Sequence, residues 1–126
     1  MSFMKPLRPP VIALALLLGI SGPAAAMFHI HLDKSAPAKN QELTEPPKEV
    51  RLWFSEKPEV RLSTITLQGA DSAKVVLSKP SPTDDAHSVV SKVTGAMGPG
   101  TYLVKWKTAG KDGHAIRGSY TFSIAK

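Results

Sequence analysis

Short runs of alternating apolar and polar residues occupy the chain from residue 48 onward. In the run KEVRLWFS, the apolar Val50, Leu52 and Phe54 fall on one face of an extended strand. Arg51 and Trp53 fall on the opposite face. A period of two residues is typical of a strand that buries one face. Because helical periodicity is almost absent, the sequence predicts an all-β fold.

Five further runs show the same alternation, and turn-forming residues separate them. The runs are VRLSTITLQ, AKVVLS, HSVVSKVT, GTYLVKWKT and RGSYTFSI, and a first strand is expected at about residues 28–34. The separators KP, GAD, KPSPTDD, GAMGPG and AGKDG contain the Gly, Pro and Asp that supply turn geometry. About seven short strands in about a hundred residues predict a seven-stranded Greek-key β-sandwich, immunoglobulin-like or cupredoxin-like. A small barrel is the alternative.

Two of these strands carry most of the candidate core. Their apolar faces supply Tyr102, Val104, Trp106, Tyr120, Phe122 and Ile124. Tyr and Trp at such positions are typical core anchors with a polar tip. The chain has no cysteine, so this core has to stabilise the fold without disulfides, and a metal site would need His, carboxylate, Met or amine ligands.

The first twenty-six residues have the pattern of a secretory signal peptide. Lys5 and Arg8 precede the apolar block VIALALLLGI, and the small residues of SGPAAA follow it. The apolar block is about half as long as a membrane span requires, which disfavours a retained anchor. We therefore expect an exported, soluble mature chain of residues 27–126.

The charge of the mature chain does not favour nucleic-acid binding. Removing residues 1–26 takes away Lys5 and Arg8 and no acidic residue, so the formal charge falls from +6 to +4. Basic and acidic residues are interspersed and form no basic stripe of the kind that nucleic acids require.

Asp112 and His114 are the residues that point most directly to chemistry. They lie two residues apart in the D-G-H loop, which joins the two strands that carry the core aromatics. Side chains with this spacing project to the same side of an extended segment. An imidazole and a carboxylate together suit Cu²⁺, Zn²⁺ or Ni²⁺. The alternative is an Asp-Gly tight turn followed by an exposed histidine.

Three blocks of the sequence resemble the CopC family of periplasmic copper-binding proteins. GTYLVKWKTAGKDGHAIRGSYTFSI is similar to the family's carboxyl-terminal signature, HIHLDKSAP to its histidine-containing opening, and VRLWFSEKPE to its F-S-E segment. The blocks follow the family's order and span nearly the whole mature chain. The resemblance implies a seven-stranded Greek-key sandwich that binds Cu(II).

The resemblance also implies a ligand set. Family members bind Cu(II) through an amino-terminal histidine and through the Asp and His of the D-x-H loop, and the matching residues are His29, Asp112 and His114. In some members the Glu of the F-S-E segment lies close to the copper, and Glu56 matches it. Loops from distant parts of the chain gather at the ends of a sandwich, so we expect these residues to meet there.

Some members add a Cu(I) site built from a methionine-rich loop. After residue 26 this chain has only Met27 and Met97. Because thioether sulfur is the ligand that selects Cu(I), we predict no Cu(I) site.

The amino terminus departs from the family pattern. The family is cut directly before its first histidine, whereas the small residues here favour a cut after Ala26, so that Met27 and Phe28 precede His29. A free amine, two deprotonated backbone amides and the imidazole of a third residue can surround Cu²⁺ or Ni²⁺ in a square plane. This amino-terminal hypothesis competes with the family-like site, since both require His29.

The two other histidines are weaker candidates. His31 follows His29 by two residues, so both rings point the same way on an extended strand. It is a candidate second ligand, with a surface histidine as the alternative. His87, beside Asp84 and Asp85, is expected to be exposed.

Two functions from different classes stay open. The first is a periplasmic copper-binding protein that sequesters Cu(II) or delivers it to an inner-membrane copper transporter of the CopD type. The second is a metal-free β-sandwich interaction module whose copper site has decayed. We expect a monomer. We also expect no enzymatic activity, because the sequence has no nucleophile elbow, phosphate-binding glycine loop or paired-cysteine motif.

Overall fold

The computed structural model describes residues 29–126. The predicted signal peptide, Met27 and Phe28 lie outside the described residues. The strands are β1 (Leu32–Ala36), β2 (Glu42–Leu43), β3 (Glu49–Phe54), β4 (Thr64–Gly69), β5 (Lys74–Val75), β6 (Ser81–Pro82), β7 (Ser88–Lys92), β8 (Gly100–Ala109) and β9 (Ala115–Ile124). Within this range no helix has the length and hydropathy that crossing a membrane requires.

The strands form two sheets, which confirms the predicted all-β sandwich. One sheet has the order β1-β3-β7-β6 and the other the order β2-β9-β8-β4-β5. All strand pairs are antiparallel except β2 with β9, which is parallel. We name them the four-stranded and the five-stranded sheet.

Residues 29–126 contain nine strands where seven were predicted, and the two additional strands, β2 and β6, have only two residues each. Strand β6 lies in the separator KPSPTDD, and β2 lies in a segment for which no strand was predicted. In AKVVLS, only Lys74 and Val75 pair with β4, and Val76 is 66% exposed. The first strand begins at Leu32, later than the sequence suggested.

The core lies between the two sheets and uses the predicted faces. Val50, Leu52 and Phe54 are buried on β3, and all six predicted core residues of β8 and β9 are buried opposite them. The rings of Phe54 and Trp106 meet edge to face across the sheets, with centroids 5.4 Å apart. Such aromatic pairs add about 0.5–1.5 kcal/mol beyond the area they bury.

The run VRLSTITLQ is not extended throughout, so that part of the strand prediction was wrong. Val60–Leu62 form a 3-10 turn, in which the amide of Leu62 donates to the carbonyl of Glu59 at 2.9 Å. The amide of Glu59 donates to the carbonyl of Ala109 at 2.8 Å, and the hydroxyls of Ser63 and Thr108 are hydrogen-bonded at 2.7 Å. The turn therefore anchors the carboxyl end of β8, where the D-G-H loop begins.

Candidate metal centre

Three segments that are distant in sequence meet at one end of the sandwich. The carbonyl of His31 accepts a hydrogen bond from the amide of Ser55 at 2.9 Å, and the amide of His31 donates to the Ser55 hydroxyl at 2.9 Å. Ile30 and the Glu56 carboxylate both lie against the Cα of Gly110. The amino-terminal segment, the F-S-E segment and the D-G-H loop (residues 110–114) are therefore neighbours.

The D-G-H loop holds Asp112 and His114 in direct contact. The backbone amide of His114 donates to Oδ1 of Asp112 at 3.1 Å, and the ring Nδ1 of His114 lies 2.9 Å from Oδ2. Gly113 between them has a φ of +75°, a conformation that side chains with a Cβ rarely adopt. The two side chains meet in a tight turn rather than on an extended segment, because the amide of Gly113 donates to the carbonyl of Gly110 at 3.0 Å. This is the Asp-Gly turn of the alternative expectation, and its contact with Asp112 uses Nδ1 of His114 and not Nε2.

The contact with His114 shifts the ionisation of Asp112. The side chain and the backbone amide of His114 donate hydrogen bonds that lower the pKa of Asp112 from its usual 3.8, and the charge of His29 adds a smaller lowering effect. His29 directly precedes Ile30, which packs beside Gly110, so His29 lies at the same end of the sandwich as the D-G-H loop. Asp112 is fully ionised at neutral pH and available as an anionic ligand.

His31 has a partner that sequence reasoning missed. Its Nε2 lies 3.0 Å from Oδ1 of Asp33, and both side chains are more than half exposed. The signal was present, because the H-L-D spacing from residue 31 to residue 33 mirrors the D-G-H spacing of the loop. The amino-terminal segment thus carries a second histidine-carboxylate pair.

Glu56 is held at the base of the D-G-H loop. A Cβ built on Gly110 would overlap Oε1 of Glu56, so glycine is required for the carboxylate to approach this closely. Glu56 is half-buried and Gly110 is buried. The carboxylate that the resemblance assigns near the copper therefore lies beside the loop that carries Asp112 and His114.

These residues do not form a closed metal cage. Among residues 29–126, no three His, Asp or Glu side chains are arranged as a group that could hold a metal ion. What exists is two pairs, Asp112 with His114 and Asp33 with His31, together with the nearby His29 and Glu56.

His87 is exposed, and its backbone is closer to this end than the sequence suggested. Its carbonyl accepts a hydrogen bond from the amide of Phe54 at 2.9 Å, on the side of β3 opposite His31. Its own amide donates to Oδ1 of Asp85 at 2.9 Å. His87 belongs to a separate turn, so a substitution of His87 can serve as a control for substitutions in the D-G-H loop.

Met97 packs against the core.

The fold and this end define a class of two-sheet β-sandwich domains with histidine-carboxylate pairs at one end. The CopC domain family model matches residues 32–125, so the chain belongs to the CopC domain family.

Individual relatives agree with this membership. The chain is 32% identical over 114 residues to "Protein YobA" of Escherichia coli K12, covering 89% of this chain and 91% of that protein. It is 30% identical over 128 residues to "Copper resistance protein C" of Escherichia coli, covering 96% and 99%. The crystal structure of PcoC, described as a methionine-rich copper resistance protein from Escherichia coli, superposes with a TM-score of 0.68 at 32% identity, covering 76% of this chain and 98% of that one.

Proposed function

We propose that the chain is an exported copper-binding protein that holds Cu(II) at the D-G-H end of the sandwich. The main support for this proposal is that the D-G-H loop, the amino-terminal segment and Glu56 lie together at one end of the sandwich. The copper-resistance names of its relatives support the choice of metal. Residues 1–26 would be the signal peptide that directs it to the periplasm.

The ligands would be His29, His31, Asp112 and His114, with the Glu56 carboxylate as a further candidate ligand. Imidazole nitrogens and carboxylate oxygens give the mixed N/O environment that Cu²⁺ favours. Because no cage is formed in advance among the described residues, the copper would draw the amino-terminal segment towards the loop. A carboxylate that hydrogen-bonds the other ring nitrogen of a ligating histidine fixes its orientation, which Asp33 can do for His31. For Asp112 to bind the same copper as His114, its contact with Nδ1 of His114 would have to open.

Holding the metal fits this arrangement better than catalysis does. The histidines and Asp112 lie at the surface, so copper bound there is accessible to another protein. Such a site suits sequestration of Cu(II) or its delivery to a membrane copper transporter of the CopD type. The chain would act as a monomer.

Cu(II) is proposed rather than Cu(I) because of the donor set. Met97 packs against the core, and one methionine does not form the thioether cluster that a Cu(I) site requires. Soft thioether ligands are what select Cu(I), whereas imidazole and carboxylate suit Cu(II).

The amino-terminal hypothesis is a second candidate. If export leaves Met27 first, His29 is third, and the free amine with two backbone amides could bind copper without the D-G-H loop. The mass of the secreted protein fixes the first residue and therefore decides whether that ligand set exists.

Equilibrium dialysis of the secreted protein with Cu²⁺ tests the proposal. A dissociation constant below micromolar, weakened by Asp112→Ala with His114→Ala but not by His87→Ala, supports it. Binding weaker than micromolar in the unchanged protein favours the metal-free interaction module instead.

A further inference from the structure

The first half of β9, residues 115–119, follows the D-G-H loop and lies at an edge of the five-stranded sheet. The register of β8 and β9 is continuous from Gly100 with Ile124 to Ala109 with Ala115, so backbone groups alternate strictly between the two sides of β9. On the side away from β8, the carbonyl of Thr121 and the amide of Ser123 pair with the β2 region.

By this alternation, the backbone groups of Ala115, Arg117 and Ser119 also point away from β8. Strand β2 pairs only with Ser123 and Ile124, and no other strand of the described chain pairs with this side of β9, although β1 of the other sheet lies near it. Within residues 29–126, the outward N–H and C=O groups of Ala115, Arg117 and Ser119 have no strand partner, which is the template for adding a strand.

The sheet face beside this edge is cationic. Lys105, Lys107 and Arg117 line a shallow depression of about 420 Å³ on the outer face of the five-stranded sheet, and the residues around them are neutral. Lys107 lies directly opposite Arg117 in the register. Like charges in that position destabilise a sheet, and an acidic partner would relieve the repulsion.

A slot on the other side of the same edge is largely apolar at its floor. Leu32, Trp106 and Gly118 line a cavity of about 400 Å³ between β1 and β9, with Lys34 and Lys39 at its rim. Its single carboxylate, Asp33, is engaged by His31 at 3.0 Å. A strand added to β9 would place alternate side chains in this slot and the others beside Arg117.

We propose that residues 115–119 of β9 dock an extended segment of a partner protein in which acidic and apolar residues alternate. The backbone edge supplies the hydrogen bonds, the slot takes the apolar side chains, and Arg117 with Lys107 and Lys105 pairs with the acidic ones. A second copy of the chain fits less well, because it would bring its own Arg117 and Lys107 against the same charges. The inference does not depend on copper binding.

The test uses metal-free protein and the peptide Ac-Glu-Val-Glu-Val-Glu-NH2, with amide hydrogen exchange read by NMR. We expect the amides of Arg117 and Ser119 to exchange more slowly when the peptide is present. The same peptide with Lys in place of Glu should not bind, and a scrambled Glu-Glu-Glu-Val-Val peptide should leave these two amides unprotected.

Two variants separate the backbone from the charges. Ser119→Pro removes an N–H that no other strand of the described chain uses, which an edge position tolerates, and should abolish protection at Arg117. Lys107→Gln with Lys105→Gln should weaken binding about tenfold, whereas Lys92→Gln on the four-stranded sheet should have no effect. Both variants are checked for an unchanged fold by circular dichroism.

Three results would overturn the inference. The first is unchanged peptide binding by the Ser119→Pro variant. The second is binding to phosphatidylglycerol vesicles with none to the peptide, which would make the cationic face a lipid contact. The third is protection of Arg117 and Ser119 in peptide-free protein together with a dimer in sedimentation, which would assign the edge to a second copy.

Discussion

The carboxylate of Glu56 lies against the Cα of Gly110, so the F-S-E segment and the D-G-H loop are packed together without any room for a side chain between them. This contact ties the end of β3 in one sheet to the end of β8 in the other. It also fixes where the loop that carries Asp112 and His114 begins.

Gly110→Ala should therefore destabilise the fold. The added methyl group overlaps the Glu56 carboxylate, and overpacking of this kind costs about 1–3 kcal/mol. Gly98→Ala is the matched control, because a Cβ there has no neighbour within 4 Å. Urea denaturation measures both, and equal stability of the two variants would show that Glu56 moves aside freely.

Leu67→Ala and Leu62→Ala should differ strongly although both leucines come from one sequence run. Leu67 is 1% exposed in the core, so its truncation should cost about 2–5 kcal/mol. Leu62 is 51% exposed on the 3-10 turn, so its truncation should change the free energy of unfolding by less than about 0.5 kcal/mol. Similar losses in thermal denaturation would contradict the placement of the turn.

Tyr120→Phe should change how stability depends on alkaline pH. Burial raises the pKa of Tyr120 above its usual 10.0; the neighbouring Ser35 side chain offsets part of the rise, but the Tyr120 hydroxyl forms no hydrogen bond within residues 29–126. The unfolded chain therefore loses the phenol proton first, so the folded wild type loses stability as the pH rises past about 10.

The phenylalanine variant should lack that loss. At neutral pH it should be as stable as the wild type, or more stable by up to about 1 kcal/mol, because a buried unpaired hydroxyl is removed. Guanidinium denaturation at neutral pH and at about pH 10.5 compares the two. Parallel losses of stability in both proteins would show that Tyr120 does not cause the effect.

Acidification should release copper through the imidazoles rather than through Asp112. Hydrogen bonds from His114 lower the pKa of Asp112, so this carboxylate stays ionised across the range near pH 6.5 in which histidines in general take up protons. Metal affinity should fall as the pH drops through that range, because a ligating imidazole has to be neutral.

Asp112→Asn separates the two groups in that experiment. It should weaken copper binding at neutral pH and leave the steepness of the pH dependence unchanged. Competition titrations against a copper chelator at several pH values measure both quantities. A pH dependence that disappears in the variant would mean that the carboxylate is the titrating group.

Much of the fold could be predicted from the sequence because burial follows a period of two. Val50, Leu52 and Phe54 on β3 and the aromatic faces of β8 and β9 needed no more than that alternation. The 3-10 turn at Val60–Leu62 could not be predicted this way. It depends on the hydrogen bond from the Glu59 amide to the Ala109 carbonyl and on the one between the Ser63 and Thr108 hydroxyls, each joining residues more than forty positions apart.

The candidate site was predictable in its loop and less so around it. The contact of Asp112 with His114 follows from local spacing. The pairing of His31 with Asp33 was not predicted, because His31 was considered only as a second metal ligand beside His29 or as a surface histidine. The packing of Glu56 on Gly110 depends on how two sheets meet, which no local pattern encodes.

Electron paramagnetic resonance of the Cu(II)-loaded secreted protein tests the central claim most directly. The account predicts a tetragonal spectrum with nitrogen and oxygen ligands that changes when Asp112→Ala and His114→Ala are combined and is unchanged by His87→Ala. An identical spectrum in the double variant and the unchanged protein would contradict a copper site at the D-G-H loop.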